Sequence, residues 1–270
     1  MIGRGAPRRG VRRLISLSPA TTENVHALGA GALLVGVTTA CDWPEAARRI
    51  PRIGDFQHPA WERIAALRPD HAVLESATLP AAEAQALERR LGCPLTVLRT
   101  RTLEDLDTTL ATLGDVCGRA REAAALRASL ARRRAAIEAR VAGRPRPGVF
   151  VEVSPTPLYA AGKGTFVDDL VRVAGGRNVV DAGEAFPVVS KERLIAWNPD
   201  AYVVAAPAGA PARRFDPPLD RLRAVRESRV VRIDPDHLFR PAPRLLDGAE
   251  ALARALHPRA FGPATPPRKA

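Results

Sequence analysis

The chain lacks the short motifs that mark common active sites. It has no GxSxG, no HExxH, no Walker loop and no GxGxxG after a predicted strand, and its AAGKGTF segment lacks the upstream glycine of a phosphate-binding loop. Its three cysteines (Cys41, Cys93 and Cys117) form no CxxC pair, so neither a zinc knuckle nor a disulfide framework is indicated. These absences favour a binding protein, with an α/β enzyme as the alternative.

Long apolar runs are also missing. The amino-terminal stretch MIGRGAPRRGVRRLISLSPA is basic at its start, but its apolar run LISL is too short for a signal peptide or a membrane span. The sequence as it stands therefore predicts a soluble chain with no visible export signal. That prediction leaves a cytoplasmic location open.

Aromatic side chains make up only 4% of the 270 residues, while the formal net charge is +12. Only three of the 41 basic residues are lysine, so 38 are arginine. The arginines are dispersed or lie in the first 13 residues and at 132–134, and no aromatic residues are interleaved to stack on bases. The pattern predicts a solvated basic surface and no nucleic-acid partner.

What the sequence does contain is an alternation of strands and helices. The apolar segments at 13–19, 33–38 and 71–76 read as strands, with a helix after the first that Thr21 or Thr22 would cap. Strand, helix, strand at this spacing predicts parallel crossovers. From 102 to 142 the chain is rich in Ala, Leu, Arg and Glu, which predicts a helix pair whose second member is long. Alternation resumes after GRPRPG at 143–148 and ends in a helix over PRLLDGAEALARAL.

One segment occurs twice. ERIAALRPDHAVLES begins at Glu62 and ERLIAWNPDAYVVAA at Glu192, 130 residues later, and each reads as a helix, a Pro-Asp turn and a strand. This repeat predicts two related α/β lobes. The domain prediction is a basic arm (1–12), a first lobe (13–117), a bridging helix (118–143), a second lobe (144–257) and a disordered tail (258–270).

Three segments of the chain are similar to a known protein family. They are RLISLSPATTENVHALGAGALLVGVTTACDWPEAARRIPRIGDFQHPAWERIAALRPDHAV, LYAAGKGTFVDDLVRVAGGRNVV and FPVVSKERLIAWNPDAYVV. These segments resemble the substrate-binding proteins of ABC importers for cobalamin, iron siderophores and haem. The resemblance covers about residues 12–257 and is strongest to the cobalamin-binding branch. It implies an α/β fold of two Rossmann-like lobes, a long rigid helix joining them and a ligand cleft between them. It also implies an extracytoplasmic location, no catalytic role and no resident cofactor.

The resemblance implies two sets of site residues. Loops at the carboxyl ends of strands would bind a corrinoid or another metal chelate, because large rings at loop tips are good stacking surfaces for flat ligands. The expected ligand-binding residues are Trp43, Phe56, Phe186, Tyr159, Asp42, Asp236, His237 and Arg240. Glu62 and Glu192 would dock onto arginines of a permease dimer, and the receptor itself is expected to be a monomer.

The ligand stays open at this point. The cobalamin-binding pattern has a tyrosine where this chain has Ala40, and a bulky ring where it has Ser76 and Ala77. A siderophore or haem therefore remains an alternative, as does a cytoplasmic corrinoid-binding protein. His58 and His237 could each contact the metal of a chelate, but no three-ligand cluster predicts a bare metal ion.

Overall fold

The computed structural model describes residues 10–55 and 57–261. These residues divide into two units, the first running to Ser129 and including Pro241–Pro243, and the second comprising the remainder from Leu130. Each unit is a mixed α/β structure around a largely parallel sheet. The predicted class of two α/β lobes is confirmed.

The first unit has four strands, β1 (Leu14–Ser16), β2 (Leu34–Val37), β3 (His71–Glu75) and β4 (Leu95–Leu98). They form a parallel sheet in the order β2-β1-β3-β4. Alternate residues of its strands face opposite sides: Leu14 and Val73 enter one apolar cluster, and Ile15, Ala72 and Leu74 enter the other. The prediction of a strand covered on both faces at 71–76 is therefore confirmed. Its helices include α1 Pro19–Ala27, α2 Trp61–Leu67, α3 Ala81–Leu91 and α4 Leu103–Val116.

The cap of α1 differs from the prediction. Ser18, and not Thr21 or Thr22, is the N-cap, with its Oγ accepting a hydrogen bond from Thr21 N at 3.4 Å. Both threonine hydroxyls bond instead to the buried Ser16 Oγ. The cap lies earlier because Pro19 occupies the first helical position, where its missing N–H is not needed.

The long helix α5 spans Ala120–Val141, and the division between the two units falls within it. The basic arm as far as residue 9 and the tail beyond residue 261 lie outside the described residues. Pro258–Phe261, which the prediction placed in the disordered tail, forms the short helix α11. Among the described helices, none combines the length and the apolar character needed to cross a membrane.

The second unit has five strands, β5 (Gly148–Pro155), β6 (Leu158–Ala160), β7 (Arg177–Asn178), β8 (Ala201–Ala205) and β9 (Val230–Ile233). They form one sheet in the order β6-β5-β8-β9, with β7 also paired to β5. All pairings are parallel except that of β6, which folds back antiparallel onto β5. Phe150, Leu194 and Tyr202 are central to its apolar cluster. Its helices include α6 Phe166–Val173, α7 Lys191–Trp197, α8 Arg223–Arg226, α9 Pro235–Phe239 and α10 Leu245–Leu256.

Two segments predicted as loops are regular structure. Residues 158–160 form β6, because the Thr156-Pro157 turn returns the chain along the end of β5. Residues 235–239 form α9, in which Asp234 accepts a hydrogen bond from Asp236 N at 2.9 Å and Pro235 takes the first helical position. The sequence Asp-Pro-Asp carries that start signal.

Candidate functional site

In the first unit, the loop that follows β2 presents Trp43 at the carboxyl edge of the sheet. The Trp43 side chain is 46% exposed, which is unusual for so large an apolar group, and Asp42 beside it is also exposed. The neighbouring Cys41 is fully buried, and its Sγ receives contacts from the hydroxyls of Thr22 at 3.1 Å and Thr38 at 3.0 Å. A buried anchor therefore lies immediately before the two exposed candidate residues.

The chain between this loop and α2 is held by contacts among Gly54, Asp55 and residues 57–59. Gly54 and Pro59 pair as an antiparallel bridge, and Asp55 Oδ1 accepts hydrogen bonds from His58 N at 2.6 Å and Gln57 N at 2.8 Å. The hydrogen bond from His58 N, and to a smaller extent the one from Gln57 N, lowers the pKa of Asp55. The His58 ring is exposed, with its Nδ1 3.3 Å from Asp55 Oδ1. Phe56, the third predicted aromatic contact, lies outside the described residues.

In the second unit, Tyr159 and Phe186 are brought to one face. The segment at 184–189 pairs with the β6 edge, where Val189 N donates to Leu158 O at 2.9 Å and Ala160 N donates to Pro187 O at 3.1 Å. Residues on either side of Tyr159, Phe186 and Val188 are buried or half-buried, while these three are 37%, 41% and 59% exposed. We call these three side chains the aromatic face.

Val188 is a member of this face that sequence reasoning missed. Tyr159 and Val188 lie opposite each other in an antiparallel bridge, and Phe186 is two residues from Val188 in the same extended segment. The alternation of exposed and buried residues from Phe186 to Val189 has the period of a strand, but the four residues are all apolar, so the sequence itself gave no signal for which of them is exposed.

The predicted polar residues Asp236, His237 and Arg240 lie on or next to α9. Asp236 binds two arginines, Arg240 at 2.9 Å and Arg244 at 3.2 Å. His237 Nε2 is 3.9 Å from Asp247 Oδ2 on α10. The close packing of α9 on α10 depends on Gly248, where a Cβ would lie 2.1 Å from His237 O. Asp236 and Arg240 thus form one ion-paired group, whereas His237 belongs to a different contact.

Glu62 and Glu192 occupy equivalent positions in α2 and α7. Each is exposed in the first turn of a seven-residue helix. Among the residues that the structure describes, the Glu62 side chain makes no hydrogen bond or ion pair. Hydrogen bonds from its own backbone N–H and from the Ser190 hydroxyl lower the pKa of Glu192. Both helices end in the left-handed region, at Arg68 and Asn198.

A buried carboxylate was also missed. Glu152 is buried in β5 and accepts hydrogen bonds from Tyr202 OH at 2.6 Å and from Arg213 Nη2 at 3.1 Å. Burial, followed by the contact with Glu152, raises the pKa of Tyr202 far above its usual range. Arg213 balances the charge of Glu152, and Tyr202 donates to the same carboxylate. These three side chains therefore support the sheet and offer no open position to a ligand. Within residues 10–55 and 57–261, no three metal-ligating side chains come together.

Comparison with known proteins agrees with this architecture. A family model described as periplasmic binding protein matches residues 14–237. The vitamin B12-binding protein of Salmonella typhimurium is 31% identical over 245 residues, which is 90% of both chains. An uncharacterised ABC transporter substrate-binding lipoprotein of Bacillus subtilis is 28% identical and covers 93% of this chain and 81% of its own.

Solved structures give the same result. The periplasmic vitamin B12-binding protein of Vibrio cholerae has a TM-score of 0.80 at 26% identity, covering 93% of this chain and 99% of its own. A periplasmic haem-binding protein from Pseudomonas aeruginosa has a TM-score of 0.82 at 31% identity, covering 95% and 96%. These relatives are transport receptors and not enzymes, so the interpretation as a binding protein is confirmed.

The relatives are periplasmic proteins or a lipoprotein, which supports an extracytoplasmic location. Proteins of this type bind small molecules and act with the permease and ATPase of an ABC importer. The family match extends over most of the chain, from β1 to α9. The chain therefore belongs to the periplasmic binding protein family and is an ABC-type substrate-binding protein of the cobalamin, iron and haem group.

Proposed function

We propose that this protein captures a corrinoid and delivers it to the permease of an ABC importer. The observation that carries the proposal is the aromatic face of Tyr159, Phe186 and Val188, which leaves apolar side chains exposed at the carboxyl edge of the second sheet. Trp43 is exposed at the corresponding edge of the first sheet. Flat rings of this size gain from stacking and apolar contact with a corrin.

The polar residues have a supporting role in this proposal. A corrinoid carries amide side chains that donate hydrogen bonds, and a carboxylate accepts them. Asp42 is exposed beside Trp43 and is one candidate acceptor. Asp236 is the other, held in position by Arg240 and Arg244.

Haem is the second candidate, and Tyr159 is the observation that favours it. Its phenol is exposed on the aromatic face, and a tyrosine can serve as an axial ligand of haem iron. A Pseudomonas aeruginosa relative described as haem-binding is 31% identical. The two candidates differ in what Tyr159 does: it ligates iron in haem binding and only packs against the ring in corrinoid binding.

The ligand experiment is a calorimetric and absorption titration with cyanocobalamin, dicyanocobinamide, haemin and a ferric siderophore. We expect a corrinoid to bind at about micromolar affinity or tighter, which corresponds to about 8 kcal/mol. Trp43→Ala and Phe186→Ala should each weaken binding at least tenfold. Ile195→Ala removes a similarly exposed apolar side chain from α7 and should leave affinity unchanged.

Tyr159→Phe separates the two ligands. It should leave corrinoid affinity nearly unchanged, whereas haem ligation by the phenolate would be lost together with its charge-transfer absorption. Absence of binding by both corrinoids, with haemin bound, would replace the corrinoid proposal with the haem one. Absence of binding by all four compounds would reject both.

We further propose that Glu62 and Glu192 dock onto basic residues of the permease, with one receptor copy per permease dimer. Two exposed carboxylates at matched positions suit a partner with two-fold symmetry. The alternative is that each only favours the N-terminus of its helix, a contribution of about 0.5 kcal/mol. That alternative predicts similar behaviour for any exposed first-turn glutamate.

Charge reversal distinguishes the two. Glu62→Lys with Glu192→Lys should abolish stimulation of the cognate permease and ATPase in proteoliposomes, while ligand affinity is retained. Glu104→Lys reverses another exposed first-turn glutamate, in α4, and should leave stimulation intact. An equal loss of stimulation in Glu104→Lys would show that the effect comes from the change in net charge and not from these two positions. A loss of ligand affinity in the double variant would indicate that the glutamates contact the ligand and not the permease.

A further inference from the structure

The turn at 38–41 determines where Trp43 is held. Cys41 N donates to Thr38 O at 3.1 Å, which closes the turn, and Asp42 and Trp43 follow directly. A buried Sγ and two hydroxyls hold the turn from inside the unit. The carbonyl oxygens of Thr38 and Cys41, at the two ends of the turn, can each accept a further hydrogen bond, because the bond that closes the turn uses only one lone pair of Thr38 O.

Arg52 supplies the donor for both. Its Nη1 donates to Thr38 O at 3.0 Å and to Cys41 O at 2.7 Å, so one NH2 group spans both ends of the turn. The two N–H bonds of a guanidinium nitrogen point in fixed directions in one plane, which suits two acceptors at once. No other side chain among the described residues is shown bonding to both carbonyls.

The backbone of Arg52 is itself held in place. Arg52 pairs with Val37 at the end of β2, and Ile53 N donates to Val37 O at 3.0 Å. Arg63 of α2 donates from Nη1 to Arg52 O at 2.8 Å. Arg52 therefore reaches the turn from an ordered segment, and its side chain is half-buried.

From this geometry we infer that Arg52 is a positioning residue for the ligand, acting through the turn that carries Trp43. It does not need to touch the ligand. Without it, the turn keeps its buried Cys41 anchor but loses the bonds that set its outer side. The position of Trp43 is then less closely fixed, although Arg48 Nε still donates to Asp42 O at 3.1 Å. The ligand part of this inference rests on the proposed function, whereas the effect on Trp43 does not.

The test uses the full chain labelled with 5-fluorotryptophan, which gives one fluorine resonance for each of Trp43, Trp61 and Trp197. Trp43→Phe identifies the Trp43 signal. Arg52→Gln should shift or broaden the Trp43 resonance without ligand and leave that of Trp197, in the second unit, unchanged. Arg52→Lys can reach one carbonyl and should give an intermediate result. Arg49→Gln removes the same charge from an exposed neighbour and should change nothing.

Ligand affinity is measured on the same variants with cyanocobalamin. Arg52→Gln should weaken binding at least tenfold, with partial recovery in Arg52→Lys. An unchanged Trp43 resonance would overturn the inference, as would a displaced Trp43 with unchanged affinity, or equal changes at all three tryptophans without recovery by lysine. If Arg52→Gln does not fold, Arg52→Lys carries the same test. Failure of the wild type to bind cyanocobalamin rejects the proposed ligand, while the fluorine spectra still decide the role of Arg52.

Discussion

The two units share one module and differ around it. In the first, α2 leads through a left-handed residue, Arg68, into β3, and in the second α7 leads through Asn198 into β8. Both helices have seven residues and both strands have five. The central apolar residue, Ile64 or Leu194, is buried in each. The repeat in the sequence therefore corresponds to a repeat in structure.

Within the module, aspartate and glutamate have different purposes. Asp70 accepts hydrogen bonds from Arg12 N at 2.9 Å and Arg13 N at 3.0 Å, just before β1. Asp200 accepts one from Gly148 N at 2.7 Å at the start of β5. Each aspartate thus ties the start of its strand to the first strand of its unit. Among the described residues, the glutamates make no comparable bond to another element, so only the aspartates have a clear role in folding, and the glutamates are the residues that we propose for docking.

The units differ most at the carboxyl edges of their sheets. The first presents Trp43 on a loop after β2, and the second presents Tyr159, Phe186 and Val188 on β6 and the segment paired with it. The framework is repeated, whereas the candidate ligand contacts are not.

The largest expected effect on stability comes from replacing two glycines, Gly54 and Gly162, which lie close to these edges. A Cβ on Gly54 would lie 2.2 Å from His58 O, at a φ of +83°, whereas one on Gly162 would lie 2.1 Å from Glu184 O without positive φ. Gly54→Ala should therefore lower the free energy of unfolding by about 2–4 kcal/mol, since left-handed strain adds to the clash, and Gly162→Ala by about 1–3 kcal/mol.

Urea unfolding of both variants measures these values. Gly162→Ala should also weaken ligand binding, because the segment that carries Phe186 must move away. Gly183→Ala is the control: its Cβ would meet nothing within 4 Å. A loss for Gly162→Ala no larger than for Gly183→Ala would contradict the close approach.

The next largest expected effect comes from substituting the two aspartates of the repeated module, Asp70 and Asp200. Asp200 also receives Arg223 Nη1 at 2.6 Å and is less exposed than Asp70. Asp200→Ala should lower the free energy of unfolding by about 2–3 kcal/mol and Asp70→Ala by about 1–2 kcal/mol, because hydrogen bonds to charged groups are strong and weaken with exposure. Hydrogen exchange at the amides of Gly148 and of Arg12 and Arg13 checks where each loss arises. Faster exchange in the wrong unit would refute the assignment.

Much of this framework could be predicted from sequence, because each strand is short, apolar and bounded by turn residues. The αβ alternation, the long helix α5 at Ala120–Val141, predicted within 118–143, and the repeated module all follow from such local signals. The edges could not be predicted as well. β6 depends on pairing with the end of β5, and Val188 is exposed only because residues 184–189 pair with β6, so both arise from tertiary contacts.

Arg52 was missed for a related reason. The sequence around it holds many arginines, and only the folded chain shows which one reaches the turn at 38–41. The role of Cys41 as the buried residue of this turn could not be predicted either, since a single cysteine without CxxC spacing has no characteristic pattern. By contrast, Trp43 was accessible to sequence reasoning because aromatic residues are scarce and it follows a strand.

A smaller effect concerns the last residue of the repeated strand, which is Glu75 in β3 and Ala205 in β8. Burial raises the pKa of Glu75 above its usual 4.5, against the opposing hydrogen bonds from Thr100. The folded chain then holds this proton to higher pH than the unfolded chain, so its contribution to stability falls as pH rises from about 4.5.

Glu75→Gln removes that contribution, so the variant should gain stability relative to the wild type as pH increases through this window. Carboxyl carbon NMR gives a direct check, since the Glu75 titration midpoint should lie above 4.5. A midpoint at or below that value would show that the Thr100 hydrogen bonds outweigh burial. The second unit, with Ala205 at this position, has no equivalent titration.

The smallest effect distinguishes the starts of the two repeated helices. Ser190 caps α7, its Oγ accepting from Arg193 N at 3.2 Å, whereas Ala60 precedes α2 and offers no side-chain acceptor. Ser190→Ala should lower the free energy of unfolding by about 1 kcal/mol. Ala60→Ser should raise it by at most about 0.5 kcal/mol, because Ala60 has a ψ of 80° and not the extended value of a typical cap. Urea unfolding of the two variants tests this asymmetry, and a larger gain from Ala60→Ser than the loss from Ser190→Ala would reject it.

The Ser190 hydroxyl also helps to lower the pKa of Glu192, so its removal should raise that pKa toward the ordinary value. Glu192 remains ionised at neutral pH in either case, and stimulation of the permease should be unchanged in Ser190→Ala. A cap variant that lost stimulation while Glu192 kept its charge would show that α7 docks through its backbone position and not through the carboxylate alone.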